Sequence, residues 1–220
     1  MIILLLGPPG CGKGTQAAFL ADKLGIPAIS TGEVFRAECK AGTELGKQAC
    51  STVRSGGLVG DDIVDGIVAN RIARPDCAQG FLLDGYPRTL AQAMHFSALL
   101  ERRGLPDPMV IHLDVPECAL VSRLTARRQC PQCLRIYNLL SQAPQIAERC
   151  DDDGAALLTR EDDRESVIRD RLRAYRELTG PILQWYGETV VREVDGSAAA
   201  EVVSREIERA LMETAACVKR

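Results

Sequence analysis

The chain has 220 residues, 46% of them hydrophobic and 26% charged, with a formal net charge of -3 at neutral pH. That length suits one domain with room for inserts, and the small acidic excess excludes a general nucleic-acid or membrane-surface binder, which needs a basic surplus. Nine cysteines without a secretion signal point to reduced thiols in a cytoplasm rather than to a disulfide framework.

Taken in chain order, strand-like and helix-like patterns alternate. Residues 1–6 are apolar but stop at Gly7-Pro8-Pro9, too short for a signal peptide or a membrane span, and Ile2–Leu6 fits a strand buried on both faces. Residues 13–24 follow with helical spacing (Ala17, Leu20, Ala21, Leu24). Ala28-Ile29 is a weak strand. Residues 30–59 predict helices with no strand between them, opened by Ser30-Thr31-Gly32-Glu33 as a capping box. Helices are expected at about 61–74, 89–102, 116–127, 161–187 and 199–216, and further strands at 81–83, 109–115 and 190–194. Residues 128–159, with Pro131, Pro144, an acidic run and Gly154, predict a loop-rich insert. Strands separated by helices give right-handed crossovers, and the fold expected is a doubly wound α/β domain on a parallel five-stranded sheet.

Gly7-Pro8-Pro9-Gly10-Cys11-Gly12-Lys13-Gly14-Thr15 follows a buried strand and opens a helix, the setting of a phosphate-binding loop. Its glycines let backbone N–H groups turn inward around phosphates, the helix N-terminus adds partial positive charge, and Lys13 supplies a point charge. The usual pattern has Ser or Thr directly after the Lys, as a magnesium ligand. Here Gly14 stands there and Thr15 follows. Magnesium is therefore expected on the nucleotide phosphates and water with a carboxylate nearby, which points away from GTPases and motor ATPases.

In the insert, Cys130-Pro131-Gln132-Cys133 and Cys150-Asp151-Asp152-Asp153 form a Cys-x-x-Cys…Cys-x-x-Asp pattern. Three thiolates and a carboxylate make a closed tetrahedral site for a structural zinc ion, with Asp153 rather than Asp151 or Asp152 as the fourth ligand; iron fits the same donors. The other six cysteines have no such pairing.

Three further stretches carry a resemblance: Ser30-Thr31-Gly32-Glu33-Val34-Phe35-Arg36, Asp84-Gly85-Tyr86-Pro87-Arg88-Thr89 with Gln92, and Thr159-Arg160-Glu161-Asp162-Asp163. With the phosphate loop, and with Val194-Asp195-Gly196 near the C-terminus, the chain resembles the long-lid bacterial adenylate kinases from end to end. The resemblance implies ATP + AMP ⇌ 2 ADP and a division into a core (1–29, 60–126 and 161–220), a nucleoside-monophosphate-binding domain (30–59) and a zinc-binding lid (127–160). It implies that Gly10, Cys11, Gly12, Lys13, Gly14 and Thr15 hold the ATP phosphates. Arg123 would stack on the adenine, Arg127 would contact phosphate, and Ile136, Tyr137 and Ala198 would lie near the adenosine. Arg36 and Arg88 would grip the AMP phosphate, with Thr31, Gly57, Leu58, Val59, Gly85, Tyr86, Pro87 and Gln92 around the rest of AMP. Arg160 and Arg171 would close over the phosphoryl groups, serving transfer with Lys13, Arg88 and Arg127. Asp84 would orient magnesium through water, and Asp162 and Asp163 would hold arginines.

Two positions depart from the family pattern: Gly60-Asp61-Asp62 replaces the usual Pro- or Thr-Asp-Glu, and Tyr86 stands where Phe is common. His95 and His112 match no motif. A monomer in the cytoplasm is expected, with ATP and AMP as partners and neither nucleic acid nor membrane. The alternatives are a UMP or CMP kinase, disfavoured by Thr31, Gln92 and the long lid, and a nucleotide-dependent module whose insert contacts nucleic acid or a partner, disfavoured by its acidic run and few aromatics.

Overall fold

The computed structural model describes residues 1–187 and 190–217, with side chains through Glu213. Residues 188–189 and 218–220 of the expected core lie outside the described residues, as does the Cys217 side chain.

Strands β1 (Ile2–Leu6), β2 (Ala28–Ser30), β3 (Phe81–Asp84), β4 (Met109–Asp114) and β7 (Val191–Asp195) form one sheet in the order β2-β3-β1-β4-β7. Every pairing in it is parallel. All five residues of β1 are buried because helices cover both faces. Ile2, Leu4 and Leu6 point one way and pack with residues of α4 (Asp61–Ile72), α5 (Leu90–Arg102) and α8 (Gly180–Tyr186). Ile3 and Leu5 point the other way, into α1 (Lys13–Leu24), α6 (Glu117–Thr125), α7 (Glu165–Ala174) and α9 (Ala200–Cys217).

Two excursions leave this core. Helices α2 (Thr31–Ala41) and α3 (Glu44–Arg54) form a helical pair between β2 and α4. Strands β5 (Arg127–Gln129) and β6 (Ile136–Asn138) form an antiparallel hairpin, and behind it Cys130, Tyr137, Cys150 and Leu157 make a small cluster of their own. The excursions touch where Lys40 Nζ donates to the Pro131 carbonyl at 2.8 Å, and Arg54 of α3 pairs with Glu161 of the core at 3.2 Å.

Several elements differ from expectation. The helix expected over 161–187 is interrupted. Glu161–Asp163 is a short 3-10 turn, Arg164 is extended (φ -69°, ψ 140°), and α7 starts only at Glu165. Between α7 and α8, Tyr175–Thr179 is a π turn. Pro181 lacks the N–H that would bond four residues back, which suits a widened turn just before it. At Ser30 the capping box is not made: Ser30 ends β2, its side chain makes no cap bond, and the Thr31 hydroxyl donates instead to the Gly85 carbonyl at 3.0 Å. The hairpin β5–β6 was not expected at all. Leu134, following the first cysteine hook, adopts φ +65°, a left-handed conformation that favours glycine.

Candidate functional site

The carboxyl ends of the strands open into a cavity of about 680 Å³, the edge at which ligands bind in open α/β sheets. The phosphate loop forms its floor. Gly10 (φ +86°) and Gly12 (φ +102°) sit in left-handed backbone, and a Cβ on Gly10 would come 2.8 Å from Leu124 Cγ. Only glycine fits there, which is why the loop wraps tightly enough to point its amides inward. Helix α1 begins at Lys13, whose Nζ donates to the carbonyls of Gly7 (2.7 Å) and Pro8 (2.9 Å), holding the ammonium at the loop. Asp84, ending β3, brings Oδ2 to 3.6 Å from where a Cβ on Gly14 would lie, so a carboxylate faces the loop.

Six arginines line the same cavity: Arg123, tied to the segment after β7, and a cluster of five, Arg36, Arg88, Arg127, Arg160 and Arg171. Two buried carboxylates organise part of this cluster. Asp163 accepts from Arg127 Nε at 2.7 Å and from Arg171 Nη1 at 3.1 Å, and Asp162 pairs with Arg171 at 3.0 Å. The 3-10 turn therefore aims both acids at cations from β5 and α7. Burial would raise the Asp162 pKa, but Arg171, Arg127, Arg160 and Arg36 outweigh it and hold the carboxyl below its ordinary 3.8. Arg88 donates from Nε to the Gly85 carbonyl at 2.8 Å, its own N–H donates to Gln92 Oε1 at 2.7 Å, and Gln92 Nε2 donates to Asp61 Oδ1 at 2.8 Å. Arg160 donates from Nε to Gln129 Oε1 at 2.7 Å, while its Nη2 is buried with no partner among the described residues. Burial, together with repulsion from neighbouring arginines, pushes down the pKa of Arg36, Arg88, Arg160 and Arg171. Guanidiniums stay protonated, so this is a cavity that gains from receiving a polyanion.

Both parts of the expected ATP site line the same cavity: Gly10, Cys11, Gly12, Gly14 and Thr15, expected at the phosphates, and Arg123, Ile136, Tyr137 and Ala198, expected at the adenosine. The Arg123 guanidinium donates to the carbonyls of Gly196 (2.7 Å) and Ser197 (2.9 Å), tying α6 to the segment after β7. Gly85, Pro87 and Leu58 reach the large cavity, whereas Thr31, Gly57, Val59 and Gln92 line a smaller adjoining one of about 60 Å³ that shares Arg36, Arg88 and Arg171. Tyr86 is not brought to either. Its ring is fully buried against Phe96, and its hydroxyl donates to Asp65 Oδ1 at 2.7 Å. Tyr175, Thr179, Asn138 and Gln142 line the large cavity without having been singled out. They belong to no motif; only Thr179, one residue before Gly180-Pro181, lies at a legible break.

In the hairpin insert, the ligand atoms of Cys130, Cys133, Cys150 and Asp153 all lie within 4.8 Å of one another. The closest approaches are Cys133 Sγ to Cys150 Sγ, 3.4 Å, and Cys130 Sγ to Asp153 Oδ2, 3.1 Å. Tetrahedral Zn–S bonds of about 2.3 Å put ligands about 3.7 Å apart, so the donor set and its size suit zinc. The N–H groups of Gln132 and Cys133 point at Cys130 Sγ (3.3 and 3.4 Å), and the Tyr137 hydroxyl points at Cys150 Sγ (3.4 Å), an arrangement that supports thiolates. Asp151 accepts from the Gln145 N–H and Asp152 pairs with Arg135, so both are engaged elsewhere.

A glycine loop between a buried strand and a helix N-terminus, lining one cavity together with a cluster of arginines, is the layout of a P-loop phosphotransferase. The chain matches the adenylate kinase family over residues 5–191. It is 46% identical over 208 residues to an adenylate kinase of Kosmotoga olearia, spanning 94% of this chain and 97% of that one. It is 45% identical over 212 residues to one of Moorella thermoacetica (96% and 98%) and 43% identical over 212 residues to one of Archaeoglobus fulgidus (96% and 98%). The chain belongs to the adenylate kinase family.

Proposed function

We propose that the protein catalyses ATP + AMP ⇌ 2 ADP in the cytoplasm as a monomer, with neither nucleic acid nor membrane as a partner. The observation that carries the activity is the continuity of the large cavity from the phosphate loop to Arg88 and Arg36, which the smaller cavity shares. ATP lies with its phosphates on Lys13 and the loop amides and its adenosine toward Arg123, Ile136, Tyr137 and Ala198. AMP lies on the other side of the cleft, its phosphate held by Arg36 and Arg88 and its nucleoside directed toward Thr31, Gly57, Val59 and Gln92, which line the adjoining smaller recess. A phosphate oxygen of AMP attacks the γ-phosphorus, the bond to the β–γ bridging oxygen breaks, and both products are ADP. AMP is already ionised at neutral pH, so no strong general base is needed, and catalysis is positioning plus charge neutralisation by Lys13, Arg88, Arg127, Arg160 and Arg171. The unpartnered Nη2 of Arg160 is a donor for a phosphoryl oxygen. Asp84 would hold the water shell of a magnesium ion arriving with ATP, which would supply further neutralisation of phosphate charge.

Residues 30–59 act as the AMP-binding domain and 127–160 as a lid on the core; the Lys40–Pro131 contact supports their meeting over the cleft. Closure excludes water that would otherwise take the phosphoryl group. No helix among the described residues is long and apolar enough to cross a membrane. Steady-state kinetics of Arg88→Ala test the assignment. KM for AMP should rise at least about tenfold with KM for ATP little changed, as expected for a lost charged contact of about 1.5–3 kcal/mol. An unchanged KM for AMP would sink it.

A further inference from the structure

The π turn Tyr175–Thr179 sits where the helical run passes over the sheet. Ile168 and Leu172 of α7 pack on one face of the sheet, and Ile182 of α8 packs on the other. The turn therefore crosses the carboxyl edge of the strands, beside the cavity, and Gly180 N–H bonds five residues back to the Tyr175 carbonyl. Single π turns inside helices often accompany functional sites. Here the turn is fastened at both ends.

At one end, the Tyr175 hydroxyl lies 3.0 Å from His112 Nε2. His112 is buried on β4, directly paired with Leu6, the last residue before the phosphate loop. Its Nδ1 lies 3.6 Å from a Glu193 carboxylate oxygen, and its Nε2 shares a hydrogen bond with the Tyr175 hydroxyl. Burial, only partly offset by Glu193 and Asp114, lowers the His112 pKa and favours the neutral ring. At the other end, the buried Thr179 hydroxyl donates to the Arg88 carbonyl at 2.9 Å. The Arg88 main chain is thus tethered twice, by Gln92 at its N–H and by Thr179 at its carbonyl.

We infer that the turn is a strut spanning from the strand behind the phosphate loop to the acceptor arginine, with Tyr175 and Thr179 as positioning residues that set where Arg88 stands relative to the donor phosphates. The inference rests on the assignment of Arg88 to the AMP phosphate. A backbone tether can matter this much because a displacement of about 1 Å at a phosphoryl-transfer site can cost on the order of a hundredfold in rate.

The test measures KM for AMP, KM for ATP and kcat on the wild type and on Thr179→Val, Thr179→Ser and Tyr175→Phe, with Tm for each. Thr179→Val should raise KM for AMP about 3- to 10-fold, the size of one buried hydrogen bond, with KM for ATP within about twofold. Thr179→Ser, which keeps the hydroxyl, should return close to wild type. Tyr175→Phe, at the far end of the strut, should raise KM for AMP in the same direction. KM for AMP within about twofold of wild type in either Thr179→Val or Tyr175→Phe overturns the strut. Equal rises in both KM values, or no rescue by serine, also overturn it, leaving a merely structural role. A wild type that forms no ADP from ATP and AMP would instead refute the proposed activity.

Discussion

Tyr86 shows how one atom can tie the acceptor segment to the core. Its hydroxyl donates to Asp65 on α4, and the buried Asp65 carboxyl is pushed up by desolvation against the pull of that bond and of His95. Tyr86→Phe keeps the ring but leaves Asp65 without its strongest donor. It is expected to destabilise the fold by about 1.5–3 kcal/mol, read as a lower urea midpoint with an unchanged slope. No change in midpoint would mean that the hydroxyl is idle. At this scale the phosphate loop was fully legible, because its nine positions are contiguous and its chemistry is set by spacing. Tyr86 was legible only as a departure from Phe: its partner stands 21 residues away, and nothing local announces it. Placing Tyr86 around AMP followed the motif string, in which alternate residues of a turn point to opposite sides. His112 was passed over for the same reason, since its partner Tyr175 comes from another element.

Among the elements, the turn Glu161–Asp163 and the hairpin β5–β6 were misjudged in opposite ways. Polar residues at 161–163 satisfy the pattern of a helix start, so periodicity runs one helix through them; only arginines arriving from β5 and α7 make an extended Arg164 and inward acids preferable. The hairpin was read as loop because each strand has three residues, too few for alternation to register. The cysteine spacing did predict the cluster, since metal ligation depends on residue type more than on backbone class.

Each element has its test. Asp162 titrates near 3.8 in the unfolded chain and lower in the folded one. Its contribution is therefore complete above the unfolded value and is lost as pH falls through the folded value. Asp162→Asn should cost about 1–3 kcal/mol at pH 7, and the gap from wild type should narrow below about pH 4. A gap independent of pH would contradict the charge argument; zinc loss in acid is common to both proteins and cancels. Removing zinc with a chelator should lower Tm by on the order of 5 °C or more and expose 127–160 to protease, with little further effect of chelator on Cys133→Ser. Unchanged stability and protease resistance would mean that metal does not brace the insert.

Across the whole molecule, the five strands, their burial and the helices on both faces were legible, because a parallel sheet needs continuous apolar runs and crossover helices. Strand order and the meeting of the two inserts were not, since both depend on contacts far apart in the chain. That arrangement brings the phosphate loop and the arginine cluster into one cavity, and the proposed reaction makes the first the donor site and the second the acceptor site. The most direct measurement follows the phosphoryl group itself. Purified protein is given magnesium, AMP and ATP labelled at the γ-phosphate, and the products are separated. Label is expected in the β-phosphate of ADP, formed only with AMP present and not with UMP or CMP in its place. Label released as inorganic phosphate regardless of AMP, or transferred equally to UMP or CMP, would contradict it.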